Sequence, residues 1–361
     1  MPRKFRGSVR GAVGWSRVLP VVLSVVACLT APNIAAADPA PGSGSSFGPA
    51  PAPPPPPTPR NGAAVDHIDV INSRQWNVYV YSPSMNKVIL LQVIRPADTS
   101  RPRPTYYVLN GGGGGEDPAN WYRQSDIVSF FADKNVNVVT PVGGRLTYYT
   151  DWERPDPAMG GVNKWTTFFT KELPPVLDQA LGANGVNAIA GLSTSGSAVL
   201  SLAEWAPGLY RAVGAFSGCA HTSVSPGRDY VNAVVTVGGG NTVNMWGPPG
   251  DPDWVANDAY VNADKLRGTA LYLASGNGLM GPHDNLGDPS VAGDPLSWVG
   301  QVTVGGVIEA ATDQCTQELA ARLQQLGIPA TVADGPGTHS WGYWQDDLHK
   351  SWPLIAQAIG A

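Results

Sequence analysis

Apolar and polar residues alternate from Asp66 to Ser82 and again from Lys87 to Ile94, with Val, Ile and Tyr recurring between polar neighbours. That period predicts half-buried antiparallel strands at the edge of a sheet. Further along, the alternation gives way to short apolar runs at Thr105 to Leu109, Val136 to Pro141, Val186 to Ala190, Ala212 to Ser217, Thr269 to Leu273 and Pro329 to Val332. Runs of this length predict strands buried on both faces. Between them lie stretches of helical character: Trp121 to Asp133, Lys164 to Leu181 with an interruption at Pro174-Pro175, Val199 to Glu204, Val302 to Leu326, and Tyr343 to Ile359. Strands alternating with helices predict an α/β fold, a mostly parallel central sheet with helices on both faces. His221 to Asn257 mixes Gly, Pro, Trp246 and Trp254 with little periodicity, and predicts an insertion over the carboxyl edge of the sheet, where ligands bind.

The start of the chain does not share this pattern. Arg3, Lys4, Arg6, Arg10 and Arg17 precede an apolar run from Val18 to Leu29, and Ala35-Ala36-Ala37 offers an A-x-A cleavage site. Residues 1–37 are therefore expected to be an export signal, the run being too short for a membrane span. Val25-Val26-Ala27-Cys28 offers a competing lipoprotein box that would leave a lipid on Cys28. Residues 38–62, which include Pro53 through Pro57, predict an extended spacer, and 63–361 form one domain. Removing the signal takes five positive charges and no acidic ones, so the net charge falls from −5 to −10. A chain this acidic is not expected to bind nucleic acid. Cys219 and Cys315 alone remain after cleavage, and in an exported protein they are expected to pair as a disulfide rather than hold a metal.

Gly191-Leu192-Ser193-Thr194-Ser195-Gly196 joins a buried strand to a helix, the outline of a nucleophile elbow. Centring on Ser193 keeps the glycine two places before the nucleophile and puts Ser195 two places after it; centring on Ser195 loses that glycine. Ser193 is the better candidate, because the turn needs small residues for strand and helix to approach. Gly111 to Gly115 follows another buried strand without the Lys-Ser/Thr of a phosphate-binding loop, at the place where a serine hydrolase supplies its second oxyanion N–H. Of the five histidines, His339 lies in the loop after the final strand, where the fold carries its base, while His349 lies on the closing helix. Three acids remain open on position: Asp284 in the loop after Thr269–Leu273, slightly favoured, Glu309 near a helix start, and Asp334 beside His339.

The chain from about Asp66 onward resembles the mycolyltransferases of the antigen 85 type, exported esterase-like enzymes with the α/β-hydrolase fold. The strings that carry the resemblance are Pro141-Val142-Gly143-Gly144 with Tyr149-Thr150-Asp151-Trp152, Lys164-Trp165, Glu172-Leu173-Pro174, Gly191-Leu192-Ser193, Met245-Trp246-Gly247-Pro248, Gly276-Asn277-Gly278, and Gly337-Thr338-His339-Ser340-Trp341. The resemblance implies a triad of Ser193, Glu309 and His339, with oxyanion donors at the backbone N–H of Thr194 and Gly112. It moves the acid from Asp284 to Glu309, and it makes Asn110, Gly113 and Trp341 substrate-facing positions. Ser275 stands where those proteins carry a cysteine. Asn110, Gly112 and Gly113 replace an aspartate, a leucine and a sugar-contacting arginine, which removes a charged donor to the sugar. A Cys219–Cys315 bridge would hold the acid-bearing helix against the strand after the elbow.

The expected activity is transfer of a mycoloyl group from a glycolipid donor such as trehalose monomycolate, through a Ser193 ester, to a sugar hydroxyl at the cell-envelope surface. No cofactor and no metal enter that chemistry. A secreted carboxylesterase is the alternative, and a non-catalytic carbohydrate- or matrix-binding relative is a third, which the retention of Ser193, Glu309 and His339 argues against. The aromatic insertion around Trp246 and Trp254 either binds lipid or packs a core.

Overall fold

The computed structural model describes residues 57–361; the expected export signal and the spacer up to residue 56 lie outside the described residues. Nine strands make one sheet: β1 (Ala64–Val70), β2 (Gln75–Ser82), β3 (Lys87–Ile94), β4 (Arg103–Leu109), β5 (Asn137–Val142), β6 (Ala183–Leu192), β7 (Tyr210–Phe216), β8 (Ala270–Gly276) and β9 (Thr331–Gly335). Their order across it is β1-β2-β3-β5-β4-β6-β7-β8-β9. The alternating segments form the antiparallel end, β1 through β3, with β3 antiparallel to β5, and every pair from β5 to β9 is parallel. This is the α/β-hydrolase architecture expected from the sequence.

Each buried strand feeds two cores. Tyr107, Leu109, Ile189, Leu271 and Leu273 pack into one layer, while Tyr106, Val108, Ala188, Ala190, Tyr272 and Ala274 pack into the other. The period of two forces that division, since neighbours on a strand point to opposite faces. On the first face lie α3 (Leu173–Leu181), α4 (Thr194–Trp205) and part of α9 (Gly306–Gln325); on the second lie α1 (Trp121–Gln124), α2 (Ile127–Phe130) and α10 (Trp341–Ile359).

Several elements depart from expectation for local reasons. Trp121 to Asp133 is two short helices, because Ser125 leaves the helical region and its hydroxyl bonds the Trp121 carbonyl at 2.6 Å. Pro174 and Pro175 interrupt nothing: they occupy the first turn of α3, where their missing N–H groups are not needed, and the chain enters through a π-helical turn, Phe168–Glu172. The final strand starts two residues later than expected and extends to Gly335, which puts Asp334 in β9 rather than in a loop. His221 to Asn257 is also more regular than its pattern. It holds α5 (Gly227–Val237), α6 (Thr242–Trp246) and α7 (Pro252–Ala256), with α8 (Pro295–Gly300) in a later loop. Trp246 and Trp254 belong to a third buried cluster with Trp152, Met159, Val231, Val235 and Met245, so they pack a core.

The order of the strands creates the site. Successive connections run outward in opposite directions from β4 and β6, and Leu109 pairs with Gly191 across that boundary. The carboxyl ends of these neighbouring strands release the glycine loop and the Ser193 elbow side by side, at the switch point where open sheets form their crevice. The elbow depends on missing side chains. A Cβ on Gly191 would stand 2.6 Å from the Ser195 carbonyl oxygen, one on Gly196 2.6 Å from the Phe216 carbonyl oxygen, and one on Gly218 2.5 Å from the backbone of Gly196 and Ser197. These neighbours are backbone and cannot swing aside. Gly218→Ala is expected to lower stability by about 1–3 kcal/mol, as overpacking does. Calorimetry reads it as a loss of several degrees in Tm, and an unchanged Tm would mean that the two backbones separate without cost.

Candidate active site

Ser193 sits between β6 and α4 at φ 57° and ψ −122°, a conformation that an L residue adopts only under constraint. Its N–H donates to the Phe216 carbonyl at 2.9 Å, which anchors the turn to β7. Ser195, the other candidate, is fully buried: its hydroxyl accepts from Leu192 N–H at 2.9 Å and donates to the Leu192 carbonyl at 3.0 Å. That serine ties the elbow and has no access to a substrate. The frame centred on Ser193 is therefore the one that presents a hydroxyl.

His339 reaches that hydroxyl, with Nε2 2.9 Å from Ser193 Oγ, and its Nδ1 lies 2.6 Å from Glu309 Oε2. Glu309 is 1% exposed, and burying a carboxylate is costly unless donors surround it. They do: Oε1 accepts from Gly276 N–H at 2.7 Å, the Ser217 hydroxyl at 2.7 Å and the Ser275 hydroxyl at 3.1 Å. With every neighbour donating, Glu309 is the acceptor for Nδ1–H, and Nε2 is left free to accept the Ser193 proton. Ser217 in turn accepts from Trp344 Nε1–H at 2.9 Å, and the Trp344 ring stands edge-on to His339 with centroids 4.9 Å apart. Neither Ser217 nor Trp344 was marked out by sequence. The former follows the strand after the elbow, and that position was the only clue.

Asp284, favoured as the acid by loop position, does different work. It is 3% exposed, and its carboxylate accepts from the Thr338 hydroxyl, Gln301 Nε2–H at 2.9 Å, Gly281 N–H at 2.8 Å and the Tyr343 hydroxyl at 2.6 Å. Burial, reinforced by this carboxylate, raises the Tyr343 phenol above its ordinary value, so it remains a donor. Thr338 adjoins His339, whose own N–H donates to the Gly305 carbonyl at 3.2 Å. Asp284 thus fastens the loop that carries the histidine. Asp334 is exposed in the edge strand β9 and makes no hydrogen bond to His339 among the described residues.

A cavity of about 320 Å³ opens beside the serine. Gly112, Gly113, Ser193, Thr194 and His339 form its polar end, and Val231, Val234 and Val237 of α5 with Leu146, Ile308 and Ala311 form an apolar wall. Gly112 and Thr194 are close neighbours, since a Cβ on Gly112 would stand 3.8 Å from the Thr194 methyl. Thr194 opens α4, so its N–H belongs to the unpaired first turn of that helix. Two expected substrate positions require correction. Asn110 is fully buried, with Nδ2 donating to the Pro141 carbonyl and Oδ1 accepting from Trp121 N–H, both at 3.1 Å, because the side chain braces the glycine loop from behind. Trp341 is 9% exposed and packs edge-on against Trp121 at 5.4 Å and Trp344 at 5.2 Å, in the core rather than on the cavity wall.

Cys219 and Cys315 are bonded, 96 residues apart in sequence with Cα atoms 5.0 Å apart, as expected. The bridge joins the segment after β7 to α9, the helix that carries Glu309. Among the described residues, no helix is long and apolar enough to cross a membrane.

The family model described as "Putative esterase" matches residues 82–355. The diacylglycerol acyltransferase/mycolyltransferase Ag85A of Mycobacterium tuberculosis is 32% identical over 78% of this chain and 80% of its own length. The Ag85B of Mycolicibacterium smegmatis is 30% identical over 78% of this chain and 84% of its own. Among solved structures, Mycobacterium tuberculosis MPT51 (FbpC1) superimposes with a TM-score of 0.64 at 26% identity, over 80% of this chain and 100% of that one. The Staphylococcus aureus serine hydrolase FphF shares the fold, with a TM-score of 0.56 at 16% identity, covering 78% of this chain and 97% of its own. The chain therefore belongs to the esterase family, in the group of the antigen 85 mycolyltransferases.

Proposed function

We propose that this protein is a serine-dependent acyltransferase that moves a mycoloyl group from trehalose monomycolate to a sugar hydroxyl, on a second trehalose monomycolate or on cell-wall arabinogalactan. The observation that carries the reading is the Ser193–His339–Glu309 chain opening directly onto an apolar cavity. His339 Nε2 takes the Ser193 proton as Oγ attacks the ester carbonyl, and Glu309 holds the imidazole and balances its charge. The oxyanion faces the N–H groups of Thr194 and Gly112; one such donor is worth about 10²- to 10³-fold in rate. Collapse expels the sugar, which takes the proton from His339, and leaves an acyl ester on Ser193. An acceptor hydroxyl then gives its proton to His339, attacks that ester and frees the serine.

The apolar wall suits the part of the acyl chain nearest the ester, each buried methylene contributing about 0.8 kcal/mol. A cavity this size holds only a segment of a mycolate, and the rest leaves through the mouth. Residues 1–37 as an export signal and 38–62 as a spacer fit an enzyme working in the cell envelope, where a Cys219–Cys315 disulfide persists. Hydrolysis by a secreted carboxylesterase is the second reading, favoured by the exposed Asp117 and Arg145 at the cavity mouth, which leave water a path to the serine.

Protein spanning 63–361, given trehalose monomycolate, is expected to form trehalose dimycolate on thin-layer chromatography, and Ser193→Ala is expected to abolish it; free mycolate as the sole product would favour hydrolysis. The two buried carboxylates separate by rate. Glu309→Gln is expected to slow acylation by a short p-nitrophenyl ester about 10³- to 10⁴-fold. Asp284→Asn, which loosens only the loop, is expected to cost about tenfold in rate together with a lower Tm. The reverse ranking would make Asp284 the acid.

A further inference from the structure

A second pocket opens at the other end of the sheet from Ser193. β3 runs antiparallel to β5, so the chain leaving Ile94 meets the starts of β5 and β4, where the parallel strands begin. A cavity of about 240 Å³ lies there, lined by Arg95, Arg101 and Arg103, by Asn137, and by the end of α3 at Leu181 and Gly182. None of these residues serves the chemistry at Ser193.

The three arginines are not alike. Arg103 is neutralised, because the Asp98 carboxylate accepts from its Nη2–H and the Asp98 carbonyl from its Nε–H at 2.9 Å. Arg95 is 8% exposed and has no ion-pair partner among the described residues. Its guanidinium stands 4.5 Å from the centre of the Trp76 ring, and Nη1–H donates to Asn137 Oδ1 at 2.5 Å; Nε and Nη2 have no protein acceptor among the described residues. The surroundings fix this side chain. Arg95 N–H donates to the Arg74 carbonyl at 2.6 Å, the Arg95 carbonyl accepts from Arg74 Nε–H at 2.8 Å, and Asn137 Nδ2 is tied to the Arg103 and Pro104 carbonyls at 3.4 Å and 3.3 Å. Arg101 is exposed and likewise has no ion-pair partner among the described residues.

A cation buried without a counter-ion is costly, and burial lowers the pKa of Arg95 for that reason, although a guanidinium keeps its charge. Arg95 and Arg101 thus leave uncompensated positive charge in one pocket of a chain that is acidic overall. The carboxyl end of α3 opposes them with only about half a negative charge. We propose that this pocket binds a phosphate group, with Arg95 as the buried anchor and Arg101 closing on it from the exposed side. A planar carboxylate is satisfied by one guanidinium fork, whereas the tetrahedral oxygens of phosphate accept from two forks that approach from different sides. A soluble phosphate ester and a phospholipid headgroup present the same oxygens. A headgroup held here would leave the Ser193 cavity facing away from that lipid surface. The proposal does not depend on the acyl-transfer reading.

The test is calorimetric titration of the chain from Asp38 to Ala361 with inorganic phosphate, at constant ionic strength in chloride. Arg95→Gln is expected to abolish binding and Arg101→Ala to weaken it about tenfold, the loss of one charge-assisted hydrogen bond. Hydrolysis of a short p-nitrophenyl ester at Ser193 is expected to be unchanged in both. If Arg95→Gln does not fold, Arg101→Ala, at an exposed position, decides alone. Co-sedimentation separates the two sources. Retention on phosphatidylglycerol vesicles but not on phosphatidylcholine ones, reversed by inorganic phosphate and by Arg101→Ala, identifies a lipid headgroup; phosphate binding without retention identifies a soluble ester. No phosphate binding by the unsubstituted chain, or an affinity that either folded variant leaves unchanged, overturns the inference.

Discussion

The close approach of three backbones at the elbow is the constraint on which the site depends. Ser193 occupies a left-handed conformation that costs about 1–3 kcal/mol, and it persists only because its surroundings over-determine it. The Phe216 carbonyl holds its N–H, the Ser195 hydroxyl staples the preceding strand residue, and Gly191, Gly196 and Gly218 let β6, α4 and β7 come within contact distance. The strain has a chemical consequence. It lifts Ser193 Oγ off the sheet and aims it at His339, beside the start of α4 and the glycine loop that follows β4.

A nucleophile fixed this firmly is useful only if the base is equally fixed, and here two buried carboxylates divide that task. Glu309 holds the ring of His339, and Asp284 holds the loop that delivers it. Each is surrounded by donors, so each is stable in the interior without an ion-pair partner of its own. The two networks do not share a hydrogen bond, and they meet only through the loop that carries Thr338 and His339. That division explains why a carboxylate can be buried beside a catalytic histidine and still not be its acid.

It also marks the limit of what the chain discloses as sequence. Strand existence was legible because burial on both faces imposes apolar runs, and the Ser193 frame was legible because close packing imposes glycine. His339 followed from its place after the last strand. The acid did not, because Asp284 and Glu309 lie in successive connections and only the three-dimensional path of α9 brings Glu309 onto Nδ1; the resemblance supplied that step. Asn110 and Trp341 were misplaced for the same reason. Both lie within a few residues of the reacting groups, yet side-chain direction, set by Pro141 and Trp121, turns them into the core. Two helices of the insertion, α6 and α7, escaped notice because they are short and capped by the Asn241 and Asp251 side chains, a local signal that periodicity does not register.

Whether an acyl-enzyme transfers or hydrolyses is decided by competition, and magnitudes locate the decision. Water stands at about 55 M and a glycolipid acceptor at roughly millimolar, a handicap of about 5 × 10⁴, or about 6 kcal/mol. Effective molarities of about 10⁵ M or more for a well-oriented hydroxyl exceed that handicap, but only when the acceptor is held in register with the ester. The triad contributes nothing to this choice, since it activates water and sugar alike. Nor does the apolar wall, which lines the same cavity in both outcomes. What remains is the polar rim of the cavity, where Gly113 has no side chain, the Asp117 carboxylate occupies the adjoining space and Arg145 lies exposed. The distinction between an acyltransferase and an esterase therefore turns on what holds an acceptor beside Ser193, and not on the chemistry of Ser193.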